Sequence, residues 1–386
     1  MDMKQPINVP KLRFPGFEGE WNNQEVNNIT VWKSGGTPSK EVGHYWNGSI
    51  PWISASSMRG MVYSDSEWKL TDEGLRNGSK LAKRGELLIL VRGSMLFNKI
   101  PVGIAGRDVA FNQDVKSISV RENVNGIFLL YWFYSQEPIL LNLVTGTGIG
   151  AGKLELDDLK RMNIALPSLP EQTKIASFLS KVDEKITQLK KKKELLEQYK
   201  KGVMQKIFSQ EVRFKEGSEP WTPILISEAI EKRASNVSAN SLVGNTGKYK
   251  IYGATGLIGS INFYTEEECY ISIVKDGAGV GRLQLCEANS SVLGTLDKLK
   301  NKPGFDLIFL YYRLSLIDFD RFVTGSTIPH IYFKDYSKEV IQVPSLGEQT
   351  KIANFLSAID KKINHTQTQI EKAEQWKKGL LQQMFV

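Results

Sequence analysis

The chain is poor in the residues that most metal and redox chemistry uses. Its 386 residues include two cysteines, Cys269 and Cys286, and three histidines, His44, His330 and His365. Two cysteines cannot build a disulfide framework, so they read as reduced thiols of a cytosolic protein. No HxxxH, CxxC or HExxH spacing occurs, which argues against a zinc site. Neither a GxSxG elbow nor a GxxxxGK[ST] loop is present, which removes the common hydrolase and P-loop classes. No apolar run approaches the roughly 18 residues of a membrane span. The opening Met1-Asp2-Met3-Lys4-Gln5-Pro6 lacks the apolar core of a secretory signal. The expectation is a cytoplasmic chain with no metal, no cofactor of its own and no membrane partner.

Two glycine-dense segments invite a phosphate-binding reading and fail it. Gly277-Ala278-Gly279-Val280-Gly281 follows a strand-like run, but Arg282 stands where GxGxxG needs its third glycine and no helical stretch follows. A tight strand-to-strand turn fits better. In Gly146-Thr147-Gly148-Ile149-Gly150-Ala151-Gly152-Lys153, the lysine is followed by Leu154 rather than by a hydroxyl that could hold Mg²⁺.

What the chain does have is a long internal repeat. Residues 167–208 and 344–385 align without a gap, with 23 of 42 positions identical, and both open Pro-Ser-Leu-x-Glu-Gln-Thr-Lys-Ile-Ala. An offset of 177 residues is far too long for a solenoid, so this is a duplicated two-part molecule. A second repeat has an offset of 200: Arg13-Phe14 precedes Trp21 as Arg213-Phe214 precedes Trp221. The first globular part is therefore some 23 residues longer than the second. The net charge of +8 is compatible with a nucleic-acid partner but sits mainly on the repeats: residues 165–209 carry ten lysines against five acids.

Each repeat reads as a long helix. Ser168-x-x-Glu171 and Ser345-x-x-Glu348 fit a capping box. Ile175, Leu179, Val182, Ile186, Leu189 and Leu196 in the first copy, and Ile352, Leu356, Ile359, Ile363 and Ile370 in the second, recur at heptad spacing. With about 36 residues at 1.5 Å, each helix would be a rod of roughly 54 Å. Two imperfect stripes in one chain are expected to pack on each other. Lys193, Lys200, Thr366, Ala373 and Lys377 interrupt them and would leave room for other subunits. Strand-like runs (86–91, 270–274) and aromatic helices (128–134, 308–314) mark the globular parts. The fold class is α/β (α+β), with two globular domains joined by two long helices packed as an antiparallel coiled coil. The layout is 1–164 globular, 165–209 helix, 210–341 globular and 342–386 helix.

No catalytic constellation emerges, so the candidate residues are binding groups. Loop positions Ser56, Ser57, Arg59, Arg92, Asn98, Lys99, Asn112 and Gln113 in the first domain are of types that meet base edges or phosphates, as is Lys153. Lys275, Arg282, Thr295, Ser326, Thr327 and His330 are counterparts in the second. For each of these, ordinary surface solvation competes with contact. The run Lys190-Lys191-Lys192-Lys193 is a solvated helix face or a meeting point for phosphates.

As a set, these features resemble the specificity subunit of type I restriction–modification enzymes. The resemblance rests on Leu166-Pro167 through Leu179, Val343-Pro344 through Leu356, the opening Leu12-Arg13-Phe14-Pro15-Gly16-Phe17 with Trp21, and Ile50-Pro51-Trp52-Ile53, and it covers nearly the whole chain. It implies two target-recognition domains, each reading half of a bipartite, asymmetric site in double-stranded DNA. The helices would space these domains and dock two methyltransferase subunits, with restriction/translocase subunits completing the complex. S-adenosylmethionine, ATP and Mg²⁺ would belong to the partners, and no Asn-Pro-Pro-Phe-type motif occurs here. Gly347 replaces the Pro170 of the first copy, and the second copy lacks the lysine run, which bears on symmetric docking. A stand-alone methyltransferase or nuclease would need a cofactor or metal constellation. A coiled-coil scaffold would leave two polar-looped heads unexplained.

Overall fold

A computed structural model of the chain describes residues 8–148, 150–214 and 219–386. The polar opening of the chain and Ile149 of the glycine-dense loop lie outside them. The chain divides into two compact units, residues 1–189 with 369–386, and residues 190–368. Both divisions fall inside the long helices, here α2 (Leu169–Phe208) and α4 (Leu346–Met384). The shorter aromatic helices are α1 (Gly126–Ser135) and α3 (Leu307–Leu314).

In unit 1 the main sheet runs Thr30–Ser34, Val115–Val120, Leu87–Leu90, Val102–Ala105, Val62–Tyr63. Unit 2 repeats the first four places as Ile230–Ala234, Leu296–Asn301, Tyr270–Val274, Leu283–Cys286. The central strands are buried on both faces, which is why Leu87–Leu90 and Tyr270–Val274 read as unbroken apolar runs. A second, smaller sheet accompanies each main one. In unit 1 that sheet and helix Asp72–Gly78 enclose a satellite core of Trp46, Trp52, Leu70 and Ala110. Residues 275–282 form a turn between Tyr270–Val274 and its antiparallel partner Leu283–Cys286, so the partial dinucleotide fingerprint is a hairpin connection.

The long helices pair antiparallel. Asp183 meets Lys377 and Lys200 meets Asp360, both at 2.7 Å, so partner numbers fall as α2 advances. Each helix stripe is also part of a globular core. Ile175, Leu179, Val182 and Ile186 of α2, with Leu380, Met384 and Phe385 of the chain's end, belong to the core of unit 1. Met204 and Ile207 of α2, with Ile352, Leu356, Ile359 and Ile363 of α4, belong to that of unit 2. Unit 1 is thus built from both ends of the chain.

Two expectations change. Glu171 and Glu348 do not reach back as capping-box partners: each carboxylate takes an arginine, Arg13 at 2.8 Å and Arg213 at 2.7 Å. A buried carboxylate gains more from a bidentate guanidinium than from one amide N–H. Nor do four of the five stripe interruptions leave vacancies; the fifth, Lys193, is on a solvated face and pairs with Glu197 of its own helix. Lys200 and Lys377 sit in the helix pair as ion-paired partners. The buried hydroxyl of Thr366 donates to Lys362 O within the helix, and Ala373 packs on the core of unit 1. Among the described residues no helix is long and apolar enough to cross a membrane, and no group of three or more His, Cys, Asp or Glu could hold a metal ion.

Candidate nucleic-acid interface and the latch behind it

The repeated motif latches each head to its helix. Gln172 accepts from Asn125 N–H at 2.8 Å and donates to Asn123 O and Pro167 O. Gln349 accepts from Asp306 N–H at 2.9 Å and donates to Pro344 O. Asn125 and Asp306 are the N-caps of α1 and α3, each accepting from two helix N–H groups. The buried glutamine therefore sets where the aromatic helix begins. Eleven residues further along α2, the Tyr131 hydroxyl donates to Asp183 at 2.8 Å. In unit 2, Tyr312 donates to Asp360 at 2.6 Å. Burial, foremost, with the neighbouring carboxylate, pushes both tyrosine hydroxyls well above their ordinary range, so they remain donors. Lys377 lies over the Tyr131 and Tyr134 rings and Lys200 over Tyr312.

Arg13 and Arg213 close the latch from the other side. The hydrogen bond to Glu171 is the largest cause raising the Arg13 pKa, and Glu348 does the same for Arg213. Phe14 packs edge-on to Phe178, and Phe214 to Phe355. Trp21 meets Phe128 as Trp221 meets Phe309. The second repeat, Arg-Phe and Trp, is therefore the counterpart of the first. Sequence reading located both repeats but not their pairing. The available signal was arithmetic: Asp183 and Asp360, like Lys200 and Lys377, stand 177 residues apart.

The candidate contact residues fall into two groups. Several are used by the fold. Ser57 Oγ accepts from Ser54 N–H, and Ser54 Oγ and Ser56 Oγ lie 3.1 Å apart in a 3-10 turn. Asn112 is buried against Asp114, Gln113 meets Thr37, and Lys275 pairs with Asp297 at 3.3 Å. Thr295 contributes its carbonyl to the backbone of 275 and 276, and Arg282 donates to Ala254 O. Others are exposed without a side-chain hydrogen bond or ion pair among the described residues: Arg59, Arg92, Asn98, Lys99, Ser326 and Thr327.

The structure gathers some of these. Arg92 lies opposite Lys153 in a three-stranded edge made by Thr145–Gly146, Gly152–Lys153 and Arg92–Gly93. In unit 2, His330 bridges both Thr324 and Asp276. The lysine run is mostly a solvated face, with Lys191 pairing to Glu194 and Lys193 to Glu197.

The heptad residues are packed within the chain. Ile175, Leu179, Val182, Ile186, Leu189, Ile352, Leu356, Ile359, Ile363 and Ile370 are at most 8% exposed, and Leu196 packs on the core of unit 2. These side chains are consumed in the chain's own packing. On the open helix faces, Tyr199 and Trp376, equivalent positions of the two copies, are 55% and 53% exposed.

Comparison with known proteins agrees with this duplicated plan. The family model described as "Type I restriction modification DNA specificity domain" matches residues 18–198 and again 218–375. A type I restriction enzyme specificity subunit of Escherichia coli is 32% identical over 174 residues, 45% of this chain and 43% of that one. One from Methanocaldococcus jannaschii is 23% identical over 410 residues, covering 94% and 91%. The chain spans under half the length of some of these curated relatives, 43% and 41% in two cases. The crystal structure of a type I restriction–modification S subunit from M. genitalium has the same fold, with TM-score 0.69, 19% identity, and coverage of 98% and 99%. With its family model matched twice, once across each half of the repeat, this chain belongs to the type I restriction–modification specificity family.

Proposed function

We propose that the chain is the DNA-specificity subunit of a type I restriction–modification complex, non-catalytic by itself. Each head reads one half of a bipartite, asymmetric duplex site. The open faces of the helices dock two methyltransferase subunits, and restriction/translocase subunits join the full assembly. S-adenosylmethionine, ATP and Mg²⁺ are assigned to those partners, and the setting is the cytoplasm. The observation that supports this reading best is the contrast between what the two copies share and what they do not. Arginine–glutamate, glutamine–cap, tyrosine–aspartate and lysine–aspartate contacts all occur twice with equivalent residues. The exposed edge of each head carries different chemistry. A shared latch with divergent edges suits two readers of different sequences on one frame.

The helices act in this reading as a ruler that fixes the separation of the half-sites, about 34–36 Å for one helical turn of DNA. Partner contact falls to exposed positions such as Tyr199 and Trp376, whose equivalence suits two copies of one subunit. The test is a methylome of a host expressing the chain with its methyltransferase partner. A bipartite motif is expected, and inserting a few residues near Gln188–Glu197, compensated in α4, should change only the spacer. Alanine at both Tyr199 and Trp376 should reduce the methyltransferase subunits that co-purify. An unchanged spacer would contradict the ruler, and undiminished co-purification would contradict the docking faces.

A further inference from the structure

The two heads present one backbone arrangement with opposite chemistry. In head 1, Val91 N–H donates to Asp114 O, and Val91 O accepts from Leu154 N–H at 2.9 Å. In head 2, Lys275 N–H donates to Thr295 O, and Lys275 O accepts from Ile331 N–H at 3.0 Å. One residue further, Arg92 stands opposite Lys153 and Asp276 opposite His330. The hydroxyls of Thr145 and Thr324 complete the match, donating to Lys153 O and His330 O, each at 3.4 Å. Arg92 and Asp276 are therefore the same place in two heads, as are Lys153 and His330.

Like charges directly opposite on paired strands are unfavourable, yet head 1 places Arg92 against Lys153. Lys153 reaches Glu155 at 2.6 Å, while Arg92 makes no ion pair among the described residues. Beside them, Gly146 and Gly148 have ordinary φ, and a Cβ on either would meet nothing within 4 Å. Neither the turn nor the packing requires glycine there, whereas close approach by an external backbone would. In head 2 one carboxylate oxygen of Asp276 is held by His330 Nδ1 at 2.8 Å, and the His330 ring stacks on exposed Tyr332. The histidine fixes the carboxylate and leaves its second oxygen free to accept.

We infer that this edge, three short strands in head 1 and the two bridges of His330 in head 2, is where each head meets its half-site, with Arg92 and Asp276 as equivalent specificity-determining residues. Arg92 takes the acceptor edge of a guanine, and Asp276 takes the exocyclic amino group of a cytosine or adenine. This rests on the DNA-specificity reading above. A guanidinium fork matches guanine O6 and N7, and a carboxylate accepts from an amino-bearing base but not from guanine's major-groove edge.

The test uses the chain assembled with its methyltransferase partner, with the methylome and duplex binding as readouts. Arg92→Gln should relax one guanine position in one half of the motif, with about tenfold to hundredfold weaker binding of the original site. Asp276→Asn should alter one position in the other half only. An unchanged motif with uniformly weaker binding, and a salt slope reduced by about one, would mark Arg92 as a phosphate contact and overturn the assignment. Unchanged motif and affinity would overturn it equally. Should either variant fail to fold, Arg92→Lys and His330→Gln repeat the test, since lysine keeps a phosphate contact but not the bidentate fork. A wild-type complex that binds no duplex selectively would instead sink the DNA-specificity reading itself.

Discussion

Asp183 joins three elements at once. It accepts from the Tyr131 hydroxyl of α1, pairs with Lys377 of α4, and belongs to α2. Side-chain exposures of 18% for Asp183 and 16% for Lys377 place the pair below full burial, so its loss should cost less than the ~3–5 kcal/mol of a fully buried pair. Asp183→Ala is expected to lower the stability of unit 1 by about 2 kcal/mol, because it strands a lysine and a tyrosine hydroxyl together. Asp183→Leu with Lys377→Met should recover the part of that loss due to the stranded lysine. Denaturant unfolding, followed by hydrogen exchange in Gly126–Ser135, reads both. A double variant no better than the single one would show that the pair is not the coupling. Lys200 and Lys377 were legible in the sequence only as faults in an apolar stripe. Periodicity scores a lysine as a missing hydrophobe and carries no information about a carboxylate 160 or 194 residues away. The same limit hid Arg13–Glu171, since Ser-x-x-Glu before an apolar run has a good local explanation that a distant arginine displaces.

At the scale of elements, the long helices, the aromatic helices and the buried strands were all legible, because each has a strong periodic or unbroken apolar signal. The small edge strands Arg92–Gly93, Thr145–Gly146 and Gly152–Lys153 were not. Two-residue strands rich in glycine and charge have no period to detect, so their candidate residues were named as scattered loop positions. Nor could the heptads say that each helix serves its partner helix and also contributes to the cores of both units. The chain's last turn makes this testable. Leu380, Met384 and Phe385 are nearly buried in unit 1, with Phe385 against Phe128, while Ile207 and Phe208 of α2 fill the matching place in unit 2. At about 1.5–3 kcal/mol per buried large side chain, truncation after Lys378 should destabilise unit 1 by several kcal/mol and leave unit 2 unaffected. Hydrogen exchange resolved by unit would check this, and equal loss of protection in both would contradict it.

At the scale of the whole molecule, the duplication divides the work. The repeated residues are those that hold a head on a helix: Arg13, Glu171, Gln172, Tyr131 and Asp183, with Arg213, Glu348, Gln349, Tyr312 and Asp360. The equivalent edge positions have diverged, to arginine and lysine in one head and to aspartate and histidine in the other. Composition placed the positive charge on the helices and so pointed away from the heads. The edge chemistry emerges only when the two backbones are matched hydrogen bond by hydrogen bond. The most direct test of two independent readers on one frame is to exchange residues 1–150 for the corresponding segment of another family member and sequence the methylome of a host carrying the methyltransferase partner. Arg13 and Tyr131 must be retained in the exchanged segment so that the latch survives. One half of the bipartite motif should change while the other half and the spacer stay as they were. Altered specificity in both halves would contradict the account.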